Sequence, residues 1–308
     1  MKQILLHSLF AIAITMLLPC ALLAQEETTE SPYPVIQNDD WTPIIQEFDG
    51  VEMVLVPPGC FMMGSTDEEI AVAFEMCEQS RGQGICMRPW FEIESPVHEV
   101  CFDEPFWIDR YEVSNAQFVE FDGVAEEAST HRGDDLPREQ IIWFEARDFC
   151  DLRGMRLPSE VEWEYAARGP DSLVFPWGDE FDGVKLNFCD ENCEFDSAAE
   201  NYDDGYANTA PIGSYEEGVS WVGAYDMSGN VWEFTSTIFD PVNFPYPYVA
   251  DDGRESDEGD DGDHVLRGGS WLYNDAVLRA ANRFFGGPDD RGHDAGVRCA
   301  RDYDQDGE

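Results

Sequence analysis

The stretch Trp221–Phe234, WVGAYDMSGNVWEF, limits what this chain can fold into. Large aromatics (Trp221, Tyr225, Trp232, Phe234) are interleaved with small residues (Gly223, Ala224, Ser228, Gly229). The aromatics bury large apolar surfaces, and Gly229 admits backbone angles that other residues avoid. The same core-like segment carries two acids, Asp226 and Glu233. A carboxylate buried without a partner is costly, so each needs a cation, an arginine or several amides. A tight glycine turn between two carboxylates offers a hard cation both side-chain oxygens and turn carbonyls. A second reading stays open, in which Asp226 caps a turn and Glu233 meets an arginine.

Acid dominates the rest of the chain. There are 65 Asp and Glu against 18 Lys and Arg, a net charge of −47. A phosphate backbone needs a basic surface, so nucleic acid is not expected as a partner. The 43% hydrophobic content is enough for a core despite that charge, and 308 residues allow one large domain or two ordinary ones. Residues 1–24 open with Lys2, run through the apolar Ile4–Leu18 and end in small residues at Ala24, which reads as a secretory signal peptide. The apolar run is short for a membrane span, and no transmembrane segment is expected once it is removed. The protein is therefore expected to be exported, to a periplasm, cell surface or medium. Cys20 offers a lipid-attachment site, which Pro19 immediately before it fits poorly.

Of the nine cysteines, Cys20 leaves with the signal peptide, and eight remain: Cys60, Cys77, Cys86, Cys101, Cys150, Cys189, Cys193 and Cys299. An even number in an exported chain favours disulfides. Eight cysteines allow on the order of a hundred pairings. Two local pairs are plausible, Cys77–Cys86 across a glycine-containing loop and Cys189–Cys193. A thiolate metal site at Cys189 and Cys193 lacks a second Cys or His pair to complete it.

Residues 25–49 read as an acidic, flexible leader. Val51–Met63 reads as a β-hairpin turning at Pro57-Pro58-Gly59, and Glu69–Cys77 as a short helix. Val97–Tyr111 alternates like a strand, from which Cys101 could face Cys60. Ser114 caps an amphipathic helix within Glu112–Phe121. A second helix spans Ile141–Leu152 and stops at Gly154. A third, Glu160–Arg168, starts from a Ser159/Glu162 capping box. Periodicity fades from Pro176 to Pro211, and loops of that length need internal staples. Residues 250–263 are a low-complexity acidic run, read as a solvated loop rather than a calcium loop. Val265–Leu272, Leu278–Phe284 and Ala295–Ala300 resume strand character, and residues 303–308 form an acidic tail.

The order of these pieces resembles the formylglycine-generating (sulfatase-modifying factor) enzyme family. The matching stretches are VEMVLVPPGCFMMGS, ESPVHEVCFDEPFWIDRYEVSNAQF, RLPSEVEWEYAARG, FPWG, TAPIGSY, YDMSGNVWEF, VLRGGSW and AGVRCARD, which run in family order across about residues 50–302. The resemblance implies an α+β fold, a single compact domain with little regular secondary structure, in a variant of the C-type lectin fold. It also implies up to two calcium ions. One would be held at Asp226, Gly229, Val231 and Glu233, the middle two through carbonyls. The other would be held at Asn187, Phe188, Asp204 and Tyr206. Asp226 stands where the family has an asparagine, still a hard oxygen donor. The resemblance further implies a Cys150–Cys299 disulfide, which leaves Cys60–Cys101.

One departure bears on function. Family oxidases bind copper(I) through a pair of cysteines just after the Gly-Gly-Ser motif, where this chain has Tyr273 and Leu278. Soft thiolates are what copper(I) needs, and a phenol and an isobutyl group cannot replace them. Copper and formylglycine-generating oxidase activity are therefore not expected, and no catalytic residue is assigned. The mature histidines His98, His131, His264 and His293 are scattered through the sequence. The old active-site surface would carry Trp271, Tyr273, Asn274, Arg279 and Arg283. These residue types suit recognition of a protein, peptide or small anionic ligand, unless the two arginines pair with acids such as Glu162 or Glu164. The expectation is a catalytically silent binding or accessory module. Its rivals are an enzyme of another class in the same cleft and a structural component of a cell-envelope complex.

Overall fold

Strand pairing follows the burial pattern of each apolar run. The computed structural model describes residues 35–195, 198–199, 201–255 and 262–303. The elements in chain order are β1 (Ile45–Phe48), β2 (Val51–Val56), β3 (Gly59–Met63), α1 (Asp67–Arg81), α2 (Pro89–Glu92), β4 (His98–Phe102) and β5 (Phe106–Asp109). Then come α3 (Asn115–Glu120), α4 (Trp143–Leu152), α5 (Glu160–Arg168), β6 (Trp232–Ile238), β7 (His264–Arg267), β8 (Phe284–Gly286), β9 (Ala295–Gly296) and β10 (Ala300–Asp302). The described residues all belong to one unit, Pro32–Glu308. The signal peptide, the first part of the leader, much of the acidic run and most of the tail lie outside them.

The strands form three sheets, with orders β1-β2-β5-β10, β3-β4 and β8-β7-β6-β9. The expected hairpin at Pro57-Pro58-Gly59 does not form. β2 pairs with β1 and β5, whereas β3 pairs with β4. Two successive prolines lack the donors that a ladder needs, so the chain changes sheets there. β2 is buried almost throughout, like a central strand, while β3 alternates as BeBeB with one face outward. The expected flexible leader is also corrected over residues 35–49. Val35 and Trp41 are buried and β1 extends the first sheet. The first helix is longer than expected because Thr66 and Glu69 form a capping box that starts it at Asp67. α3 and α5 start from the Ser114 and Ser159 caps. Leu278–Phe284 is turn rather than strand, with Phe284 opening β8. The sulfur bridges are Cys60–Cys101, Cys77–Cys86, Cys150–Cys299 and Cys189–Cys193. The first of these joins directly paired positions of β3 and β4.

Every residue of α5 is buried, its three glutamates included. Buried carboxylates persist only when paired, and the partners are present. Arg168 donates to Glu164 at 2.8 Å, Arg267 reaches the other Glu164 oxygen, and Arg156 takes Glu162 at 2.6 Å. Burial alone would raise the Glu164 pKa, but Arg267 and Arg168 hold it below the ordinary value.

Arg298, fully buried, has the widest reach. It donates to both Glu233 oxygens on β6 at 2.9 and 2.7 Å, to the Asp109 carbonyl on β5 and to the Tyr225 carbonyl. Arg298→Gln is expected to cost about 3–5 kcal/mol, since it strands a buried Glu233. Arg88→Gln, which breaks the exposed Arg88–Glu92 pair, should cost under about 1 kcal/mol. Urea unfolding of the two variants measures the contrast.

Candidate functional site

The loop between α5 and β6 carries an oxygen-rich crossing. Asp204 accepts from the Phe188 N–H at 2.9 Å and from the Tyr206 N–H at 2.8 Å. Its own N–H donates to the buried Asp190 carboxylate. Asn187 donates to the Asn208 carbonyl and to Asn230 Oδ1, so its own Oδ1 is buried with no hydrogen-bond partner. The residues expected to form one cation site are therefore brought together, with a spare carbonyl-type oxygen among them. Burial pushes the Asp204 carboxyl up to about 7, and the Asp190 charge adds to this.

The second expected group lies alongside it. The Asn230 N–H donates to the Asn187 carbonyl, and that carbonyl fills the space a Cβ on Gly229 would need. Gly229 has φ +84° and Asp226 φ 56°. Asp226 accepts from the Gly213 N–H at 2.7 Å. Glu233 meets Arg298 and also accepts from Trp163 Nε1 at 2.6 Å. A third acid, Glu112, accepts from Asn230 Nδ2 and from the Val231 N–H. Sequence reasoning missed Glu112, whose neighbours are set by chain crossings rather than by spacing. Three buried carboxylates thus lie within the field of one guanidinium, Arg298, and of the three only Glu233 contacts it. Burial pushes Asp226 up to about 6, helped by Glu233. Burial and then the charges of Asp226 and Glu233 push Glu112 well above its ordinary value. Among the described residues no three His, Cys, Asp or Glu side chains converge into a metal-binding group. A cation here would depend on amide and backbone oxygens, which calcium accepts and a structural zinc site does not use.

The five expected cleft residues divide between different surroundings. Tyr273 is half-buried against Trp232 and Phe284. With Arg283 it lines a groove of about 450 Å³ between α1, α2 and β8. Leu278 is fully buried beside Phe175, Leu186 and Phe188. It lies so close beneath Gly269 that an added Cβ there would be 2.6 Å from its Cδ2. Trp271 turns elsewhere, edge-on to His131 and His293. Asn274 is buried. The arginines are not free, and their partners differ from the acids expected. Arg279 grips Glu94 at 2.9 and 2.7 Å, and Arg283 grips Glu160. Arg279 lines a separate cavity of about 250 Å³. Sequence reasoning also missed the groove's other wall, Trp90, Phe91 and Arg81, because α1 and α2 lie far from Tyr273 in the chain.

The model of the sulfatase-modifying factor enzyme 1-like domain matches residues 44–303. Inactive C-alpha-formylglycine-generating enzyme 2 of Mus musculus is 32% identical over 172 residues, 54% of this chain and 49% of that protein. The chain therefore spans about half the length of that relative. Formylglycine-generating enzyme of Mus musculus is 27% identical over 310 residues, covering 82% of this chain and 75% of its own. Among solved structures, PvdO from Pseudomonas aeruginosa superposes with a TM-score of 0.64 at 26% identity, over 85% of this chain and all of that one (100%). Treponema denticola variable protein 1 superposes with a TM-score of 0.59 at 17% identity, over 85% and 100%, a likeness of fold alone.

The pKa shifts carry a sign. An acid whose folded pKa is raised favours the protonated folded state, so stability is lost as pH rises from its unfolded value through its folded one. For Asp226 that window runs from 3.8 to about 6, and for Asp204 from 3.8 to about 7. In EDTA, Asp226→Asn is expected to be more stable than the parent at pH 8, by on the order of 1–3 kcal/mol. The advantage should shrink at pH 5. Urea unfolding at both pH values measures it.

Proposed function

The chain belongs to the sulfatase-modifying factor enzyme 1-like domain family, and we propose that it is an exported, calcium-stabilised binding or accessory module without formylglycine-generating oxidase activity. Its α+β fold, with little regular secondary structure, is the C-type-lectin-like fold of that family. The observation that carries the reading is the disposition of sulfur. All eight cysteines among the described residues are joined in disulfides. The positions of the family's copper thiolates are filled by Tyr273, packed in an aromatic cluster, and by the buried Leu278. Copper(I) needs soft ligands, and those two side chains supply none.

Calcium fits the oxygen-rich crossing. A divalent cation would offset the excess of three carboxylates over one guanidinium and give the unpartnered Asn187 oxygen a ligand role. Asp226 and Glu233 would hold one ion with the Gly229 and Val231 carbonyls, and Asn187, Phe188, Asp204 and Tyr206 the other. Such ions would tie the long loop to β6, which is a stabilising role rather than a chemical one. Export is supported by the four disulfides, which persist in oxidising compartments. No helix among the described residues is long and apolar enough to cross a membrane.

Two measurements test these readings. Purified protein incubated with copper, oxygen and a CxPxR peptide is expected to yield no peptide aldehyde by mass spectrometry, and catalytic aldehyde formation would overturn the reading. Millimolar calcium is expected to raise the melting temperature by several degrees at pH 8 and by less at pH 5. Asp204→Ala should remove part of that gain, and a calcium response equal in parent and variant would contradict the assignment.

A further inference from the structure

The turn after Phe188 holds a buried acid and a sulfur bridge beside the oxygen-rich crossing. Asp190 is fully buried, and its carboxylate is answered among the described residues by N–H groups alone. A charge buried without a cation is costly, so this acid is kept against a stability cost. Its Oδ1 accepts from the Asn192 N–H at 2.8 Å. Its Oδ2 accepts from Asn192 Nδ2 at 3.2 Å and from the Asp204 N–H. Its own N–H donates to the Phe188 carbonyl at 2.9 Å, which leaves that carbonyl a second lone pair. Asp190 therefore touches Phe188 and Asp204, two members of the expected ligand set, directly.

The bridge fixes where Asp190 sits. Cys189 and Cys193 are 4 positions apart and close a ring around it. Inside that ring the Cys193 N–H donates to the Asp190 carbonyl at 3.0 Å. Three further bonds dock the ring onto the chain that leads to Asp204. The Glu191 N–H reaches the Tyr202 carbonyl at 3.3 Å, the Ala199 N–H reaches the Cys189 carbonyl at 3.0 Å, and Asn192 Nδ2 reaches Asp203 at 3.0 Å. On the other side the Cys189 N–H donates to the Tyr273 carbonyl at 3.0 Å. No helix or strand of the described residues covers this turn or Asp204, so the cross-link is what limits its conformations.

We propose that Asp190 is a positioning residue for the cation site at Asn187, Phe188, Asp204 and Tyr206, and that the Cys189–Cys193 bridge sets the affinity of that site by holding Asp190 in place. This inference rests on reading the crossing as a calcium site. Asp190 acts without touching the ion. It fixes the Asp204 main chain and the Phe188 carbonyl before a cation arrives, and its buried charge adds to the attraction. Groups behind metal ligands orient them, and losing one costs about ten- to a hundredfold in metal affinity.

The test is calcium titration of the mature, non-reduced protein by calorimetry, with urea unfolding in EDTA beside it. The parent is expected to bind calcium saturably. Asp190→Asn sets an N–H donor against that of Asp204 or Asn192, and should weaken one site by about tenfold or more. Cys189→Ser with Cys193→Ser should weaken the same site similarly. Both act through one contact, so the three substitutions together should lose far less than the sum of the separate losses. Cys77→Ser with Cys86→Ser removes a bridge elsewhere and should leave calcium affinity unchanged. Asn192 is half-buried, so Asn192→Ala should fold with the parent. It removes the donor to Asp190 and Asp203 and should weaken the same site severalfold. A purely structural role lowers stability in EDTA and leaves calcium affinity as in the parent. Unchanged affinity in every variant that folds, fully additive losses, or an equal loss on removing the Cys77–Cys86 bridge would each overturn this inference alone. A parent that binds no calcium overturns the reading beneath it, and this inference with it.

Discussion

The Arg298–Glu233 pair holds the two larger sheets to one another. Arg298 lies between β9 and β10 and addresses Glu233 on β6 of one sheet and the Asp109 carbonyl on β5 of the other. Trp163 of α5 donates to the same Glu233, so sheet, helix and loop share a single carboxylate. Two ions taken out of water together gain little net stability, but removing one leaves the other unpaired. The pair therefore acts by exclusion, since packings that separate the two strands are heavily penalised. Asp109 is anchored in turn by Arg153 at 2.6 Å and accepts from the Cys299 N–H, beside the Cys150–Cys299 bridge.

The oxygen-rich crossing depends on that frame. With Glu233 committed to Arg298 and Trp163, the remaining negative charge falls on Glu112 and Asp226, whose charges raise one another's cost of ionisation. Amides answer some of their oxygens, with Gly213, Asn230 and Val231 as donors, but amides carry no net charge. A molecule that buries more acid than base in one place either keeps protons there or recruits a cation. The neighbouring loop, with few regular elements, is where an added cation would contribute most order.

Much of this was legible in the residues. The Ser114 and Ser159 caps fixed two helices because capping depends on neighbours three residues away. Asp226 and Glu233 stood out as acids in an apolar segment, and both are buried. What spacing could not carry was partner choice across the chain. Arg279 and Arg283 found Glu94 and Glu160 instead of Glu162 or Glu164, because Glu162 is taken by Arg156 and Glu164 by Arg168 and Arg267. The hairpin reading failed since two prolines end a ladder as readily as they turn one. Residues 35–49 looked like a leader because β1 is exposed, and its place is decided by pairing with β2 rather than by its own composition. The groove escaped notice because its walls lie nearly two hundred residues apart in the chain.

The central claim is that this scaffold keeps hard-oxygen cation sites while having replaced the soft-sulfur site by a phenol and an aliphatic side chain. Elemental analysis of the non-reduced protein, after equilibration with calcium and copper(I) and removal of free metal, bears on it most directly. The account predicts one to two calcium ions per chain and no stoichiometric copper. One copper(I) retained per chain, with no calcium, would contradict it.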